Sequence, residues 1–217
     1  MRTPITLLLL IPILLCASAR PNSGGLAERV AELEAQVEEL SAILEFVYVE
    51  TEPINGLRGP HLIIEGANVH VRSGSGTTRN PICPSGHSDC GKSVGLGNLV
   101  VGYNELPLSQ APIRSGMHNL VVGPEHEYAS YGGFVAGNHN SVRAPGASVT
   151  GGDDNQASGI FSSVSGGRQN LASGPRTSVS GGHRNLASGS RASVSGGQDR
   201  VAPDDFNWAA GNLQEPN

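Results

Sequence analysis

The stretch from Ala147 to Arg200 is written in a fifteen-residue period, and this repeat constrains the fold more than any other feature of the chain. It reads ASVTGGDDNQASGIF, SSVSGGRQNLASGPR, TSVSGGHRNLASGSR and ASVSGGQDR, with Val149, Val164, Val179 and Val194 at one position of the unit. Gly-Gly pairs begin at Gly151, Gly166, Gly181 and Gly196. Asn155, Asn170 and Asn185 keep the same step, as do Ala157, Ala172 and Ala187. A unit this short cannot enclose a core by itself, so it has to be one coil of a solenoid whose coils bury one another. Its Ser-Val-Ser run suits one short strand, with Val facing in and the hydroxyls facing out. The glycines supply corners where a Cβ would clash. The expected fold class is mainly β, a short-coil parallel β-roll or β-solenoid.

Looser copies extend the array. Val135 lies fourteen residues before Val149, and Val121 fourteen before Val135. The Leu99-Val100-Val101-Gly102 run precedes the Leu120 run by twenty-one, which leaves Glu105 to Ser115 as an insertion in one coil. Trp208-Ala209-Ala210-Gly211-Asn212 falls fourteen after Val194, and Trp208 is expected to replace an inward Val and cap the core end. The repeat core is thus assigned to Val135, Val149, Val164, Val179, Val194 and Trp208, in a head of about eight turns over 94–213 that a short tail, 214–217, follows. Inward residues this small make a thin core, which side-by-side association would remedy. Asn155, Asn170 and Asn185 are expected to stack as an amide ladder. His118, His126, His139 and His183 share no register with one another and read as polar turn residues.

Composition agrees with a repeat protein. The 217 residues include thirty Gly but only four Phe, four Tyr and one Trp, too little aromatic volume for a large conventional core. The formal net charge is -5. Eight Glu fall between Glu28 and Glu52, and six Arg between Arg143 and Arg200 are diluted by Asp153, Asp154 and Asp199. Nucleic acid is not an expected partner.

Residues 1–19 read as a secretory signal peptide, with Arg2 as the basic region, Ile5 to Leu15 as the apolar region and Ala17-Ser18-Ala19 before the cleavage point. The apolar run, interrupted by Pro12, is short for a transmembrane anchor. Leu15 is bulky for a lipoprotein signal ending at Cys16. The expected location is therefore secreted or cell surface, with no transmembrane span after cleavage. Over 25–50, Leu26, Val30, Leu33, Val37, Leu40, Leu44 and Val47 alternate steps of four and three, the spacing of a coiled-coil stripe. Thr51 to Pro60 then breaks the helix, and 51–93 is expected to hold a neck and a loop. The neck is read as two short strands, Leu62 to Glu65 and Asn68 to Val71, around Gly66.

The loop carries two chemical motifs. Gly86 to Ser93 spells G-x-x-x-x-G-K-S, but a phosphate-binding loop needs a buried strand before it and a helix after it. Pro81 and Pro84 precede it and Val94-Gly95-Leu96-Gly97 follows, so neither element can form. Cys83, His87 and Cys90 offer three metal donors where structural zinc takes four. In an oxidising compartment a Cys83–Cys90 disulfide is the preferred reading, stabilising by about 2.5 kcal/mol through loop entropy. No cofactor or metal is expected. No Ser, His and acid combination recurs at catalytic spacing, so the chain is read as no enzyme.

Arg29-Val30-Ala31-Glu32-Leu33-Glu34 resembles the Arg-h-x-x-h-Glu pattern of trimeric coiled coils, h being hydrophobic. The resemblance implies that Arg29 packs over the core and pairs with Glu34 of a neighbouring chain, specifying a trimer. β-Branched residues at Val30 and Val37 with Leu at Leu33 and Leu40 point instead to two strands. The array from Asn98 to Asn212 resembles the heads of trimeric autotransporter adhesins, which are parallel β-rolls of fourteen-residue repeats. Ser148-Val149, Ser163-Val164, Ser178-Val179 and Ser193-Val194 match the family's Ser-Val, and Gly159, Gly174 and Gly189 its later Gly. In that family the stalk follows the head and leads to a membrane barrel; here the heptads precede the head, and no barrel-forming strands follow it. The resemblance implies a non-enzymatic, trimeric, structural or adhesive protein. An ice- or glycan-binding solenoid is the alternative, on the paired hydroxyl rows that begin with Ser148 and Thr150. A trimeric β-helix acyltransferase is more remote, because hexapeptide coils do not step by fifteen.

Overall fold

The computed structural model describes residues 25–79, 95–108, 111–211 and 213–215. The signal sequence, the P-loop-like motif and the Cys83–Cys90 pair lie outside the described residues. The chain divides into two compact units, 1–69 and 70–217.

In the first unit, helix α1 spans Leu26–Ile43, with Glu28 in its first turn where a carboxylate favours the helix dipole. It does not run on to Val47 as the heptads predict. The Leu44 N–H still bonds Leu40 O at 3.0 Å, and then the chain turns into strand β1, Val47–Glu50. Val47-Tyr48-Val49 is a β-branched and aromatic run, which loses side-chain entropy in a helix and packs well in a sheet. β1 pairs antiparallel with β2, His61–Ile64, in the register Val47↔Ile64 to Glu50↔His61. The expected neck is therefore corrected: the second strand's partner comes from the end of the heptads, and Asn68 to Val71 forms no strand. Between β1 and β2, Asn55 and Gly56 sit at φ 51° and 82° with Ile54 and Leu57 bonded across them, an Asn-Gly turn of the primed type.

The second unit is the parallel solenoid. One face holds nine strands: Leu99–Val101, Leu120–Val122, Phe134–Ala136, Ser148–Val149, Ser163–Val164, Ser178–Val179, Ser193–Val194, Trp208–Ala210 and Leu213–Glu215. All neighbours are parallel except the last, which folds back antiparallel on Trp208–Ala210. The other face holds six: Glu127–Tyr128, Ser141–Val142, Gln156–Ala157, Leu171–Ala172, Leu186–Ala187 and Val201–Ala202. About six coils are therefore complete on both faces, fewer than the eight turns expected. In the coil begun by Leu99, the insertion occupies the place of the second strand.

The core is a stack of single residues. Val121, Val135, Val149, Val164 and Val194 are fully buried on the first face, and Ala157, Ala172, Ala187 and Ala202 on the second. Register settles the last coil against expectation. Val194 pairs with Ala209, while Trp208 pairs with Ser193 and points outward, 37% exposed, with its indole N–H bonded to Ser195 Oγ at 2.7 Å. A Trp in this inward row would overfill a space sized for Val and Ala.

The mixed period has a local cause. Nine residues separate each corner residue from the next inward Val: His126 to Val135, Asn140 to Val149 and Asn155 to Val164. The other arc is five in the fourteen-residue coils, Val135 to Asn140, and six in the fifteen-residue ones, Val149 to Asn155. The added residue is the first Gly of each pair. At Gly151 a Cβ would meet only Ser165 O at 3.8 Å, and at Gly166 nothing within 4 Å. The second Gly is the constrained one: Gly167 has φ 82°, and its Cβ would overlap the Gly182 carbonyl oxygen of the next coil. In these two pairs only the second Gly is therefore required, whereas in the later pairs the first, Gly181 and Gly196, also sits at positive φ, 156° and 140°.

Candidate functional surfaces

Four features of the described residues could carry function: an interior polar ladder, a charged side, a cleft beneath the insertion, and the apolar stripe of α1.

The ladder runs along one corner through Asn140, Asn155, Asn170 and Asn185, each 1% exposed or less. The Asn170 side chain shows its chemistry. Nδ2 donates to Asn155 Oδ1, Gly166 O and Gly182 O at 3.1, 3.0 and 2.9 Å, and Oδ1 accepts the Asn185 N–H at 3.0 Å. Each amide thus satisfies backbone groups of its own coil and of its neighbours, where an unpaired buried group would be costly. Above Asn140 the ladder continues through a histidine. His126 is fully buried in the row, its N–H bonded to Asn104 Oδ1 at 2.9 Å. Its Nδ1 lies 3.2 Å from the Asn140 N–H and its Nε2 2.9 Å from Val122 O. These partners require a neutral ring, protonated on Nε2 and accepting at Nδ1. Burial holds the imidazole below its ordinary value, and the Arg114 guanidinium acts in the same direction, while the bond to Val122 O opposes them. His126 is therefore no turn residue. The signal was present in its five-residue distance from Val121, which matches that of Asn140 from Val135.

On the short side between the two faces, Asn138, Asp153, Arg168, His183 and Gln198 pair in parallel from coil to coil. Charges there are matched across coils. Arg168 Nε lies 3.3 Å from Asp153 Oδ2, and Arg184 Nε 3.3 Å from Asp199 Oδ1. These pairs are exposed and contribute little stability, but they leave the side nearly neutral.

The insertion is tied down by Arg114, which donates to Glu105 O, His126 O and Asn104 Oδ1 at 2.8, 3.1 and 3.2 Å. Beneath it a cleft of about 210 Å³ is lined by Pro107, Pro112, Glu125, Glu127, Arg143 and Asp154 among others. Its charges are largely paired. Arg143 Nε approaches Glu127 Oε1 at 2.7 Å without hydrogen-bond alignment, and its Nη2 lies 3.3 Å from Oε2. His139 Nδ1 lies 3.5 Å from Asp154 Oδ1.

On α1 the stripe is bare: Leu26, Val30, Leu33, Val37 and Leu40 are 80, 44, 57, 61 and 56% exposed. Arg29 and Glu34 are exposed on the same helix, with no ion pair to any described residue. Among the described residues no helix is long and apolar enough to cross a membrane.

No family model, curated protein or solved structure matches the chain. Its function has to be argued from these surfaces.

Proposed function

We propose that the chain is a secreted or surface-displayed, non-enzymatic, trimeric protein with an adhesin-like or structural role. The observation that carries the reading is the bare stripe on α1. A helix of 18 residues exposing an apolar row from Leu26 to Leu40 is marginal alone in water and is stabilised when copies bury that row together. Three copies are favoured over two by Arg29 and Glu34, spaced to pair between chains in the trimer pattern. The head adds a second apolar row: Leu171, Leu186 and Val201 point outward on the alanine face, stacked in register. The likeness to adhesin heads rests on the parallel solenoid and its Ser-Val strands, with the added Gly explaining the fifteen-residue step. The secretory reading rests on residues 1–19 alone, and the Cys83–Cys90 disulfide follows from it.

The test is sedimentation equilibrium on residues 20–217, repeated on the chain lacking Leu26 to Leu44. Three times the monomer mass in the first case supports the proposal, and a trimer surviving the deletion puts assembly in the head as well. A dimer or monomer overturns it. A glycan- or ice-binding solenoid is the second reading, favoured by the in-register hydroxyls Ser148, Ser163, Ser178 and Ser193 on the first face. Thermal hysteresis in solutions of the purified chain is the measurement that would bring the ice-binding form forward.

A further inference from the structure

One corner of the solenoid presents bulky side chains where the backbone asks for glycine. Gly132, Gly146, Phe161, Arg176, Arg191 and Phe206 hold the same place in successive coils, at φ 66, 64, 57, 60, 61 and 62°. Glycine meets that conformation without cost at the first two positions. The next four carry large residues there, as His139, Asp154, Gln169, Arg184 and Asp199 do at the other corner, so the conformation belongs to the coil and what sets this corner apart is its side chains. The row is in register. Phe161 N–H bonds Pro145 O at 3.0 Å, Arg176 N–H bonds Ile160 O at 2.8 Å, and Arg191 N–H bonds Pro175 O at 2.9 Å. The side chains therefore repeat at the inter-strand spacing of about 4.8 Å.

We propose that the ridge Phe161, Arg176, Arg191 and Phe206 binds an acidic polysaccharide, a chain of sugar rings bearing sulfate or carboxylate groups. Phe161 and Phe206 are 60 and 61% exposed in a chain with four Phe, and Ile160 beside them is 49% exposed. Exposed rings at each end of a charged row offer apolar faces to sugar rings. Between them, the Arg191 guanidinium lies 5.2 Å from the Phe206 ring centroid, a cation–π contact that orients it. Arg176 has no carboxylate within ion-pairing distance among the described residues, whereas Arg143, Arg168 and Arg184 each have one on an adjacent coil. Asp204 and Asp205 precede Phe206 in the chain, and Asp205 Oδ1 accepts the Ser190 N–H at 2.8 Å. The anionic groups of the ligand accordingly meet Arg176 and Arg191, and its ring faces meet the phenylalanines. Guanidinium groups suit sulfate and carboxylate because they donate two parallel hydrogen bonds.

The proposal rests on the extracellular reading only for where such a ligand would be met. The mass measurement and the binding measurement fail independently. Calorimetric titration of residues 20–217 with chondroitin sulfate is the test, with uncharged dextran, a duplex DNA and phosphatidylserine vesicles as competing probes. The R176Q/R191Q variant is expected to weaken chondroitin sulfate binding about tenfold. The F161S/F206S variant is expected to weaken it roughly threefold to tenfold, with the circular dichroism spectrum retained in both. R168Q/R184Q, which removes the same charge from the neutral side, is expected to change it less than about twofold. Equal losses in the two arginine pairs, indifference to the phenylalanine pair, tighter binding to DNA or vesicles, or no binding of chondroitin sulfate would each overturn the proposal.

Discussion

Asn170 is one residue doing the work of a strand pairing. Replacing it with Ala strips a partner from the half-buried Gly166 carbonyl and from the buried Asn185 N–H, and one of two from the Gly182 carbonyl, which keeps the Arg168 N–H. Asn170→Ala is therefore expected to lower stability by about 3 kcal/mol, read as a shift in the denaturation midpoint at unchanged slope. The Gly pair beside it separates two roles. Gly166→Ala enters open space and should stay within about 0.5 kcal/mol of the parent. Gly167→Ala meets the next coil at φ 82° and should cost more than about 2 kcal/mol in the same assay, so similar losses would refute the assignment of the first Gly as a tolerated insertion. His126 makes the ladder sensitive to acid. Its folded pKa lies below the ordinary value of 6.5, so the unfolded chain takes up the proton first as pH falls. The stability it contributes is complete above about pH 6.5 and declines as pH drops toward the folded value. His126→Asn, which restores the residue used elsewhere in the row, should flatten that slope in thermal melts between pH 7.5 and pH 5.

At the scale of elements, the same heptad spacing serves two structures. Leu26 to Leu40 lies on the helix, while Val47, in step with them, belongs to the hairpin. Period alone does not distinguish the two, because Val47 satisfies a step of seven as well as an alternation of two. What decides it is the partner: β2 offers four paired positions to Val47–Glu50, and Phe46 O extends the pairing by accepting the Glu65 N–H at 3.0 Å. The hydroxyl of Tyr48 adds a bond to Glu65 Oε2 at 3.0 Å across the same hairpin. Leu33→Glu with Leu40→Glu places charges in the proposed seam and leaves both the hairpin and the solenoid untouched. This variant is expected to sediment at a lower mass than the parent while keeping the β signal in circular dichroism; an unchanged mass would remove the helix from the assembly.

At the scale of the whole molecule, the solenoid is a one-dimensional stack in which each coil touches only its neighbours. Deleting Gly166 to Ser180, one full coil, joins Ser165 to Gly181 in register and should leave a cooperative, slightly less stable fold. Deleting seven of those residues seats each later Val in an alanine place, turns each later inward Ala outward and takes the glycine and asparagine corners out of register, and the chain should lose its β signal at ambient temperature. Comparing the two thermal melts tests whether the period in the sequence is the period of the structure.

Much of that period was legible without coordinates. Val135, Val149, Val164, Val179 and Val194 are inward because each coil sees the same neighbours above and below, so one local rule repeats and spacing exposes it. Asn155, Asn170 and Asn185 form the ladder for the same reason. Where the step changes, spacing loses its reference. Trp208 and Ala209 are both near a multiple of the period from Val194, and only pairing with Ser193 and Val194 puts the indole outside and the methyl inside. His126 stands in a ladder of Asn because Nδ1 can accept the neighbour's N–H as Oδ1 does, an equivalence of geometry that residue type conceals. Phe161, Arg176, Arg191 and Phe206 also fall fifteen apart, so their alignment is written in the same period. The partner of β2 is not, because it depends on which backbone groups meet across a turn, and that only the folded chain decides.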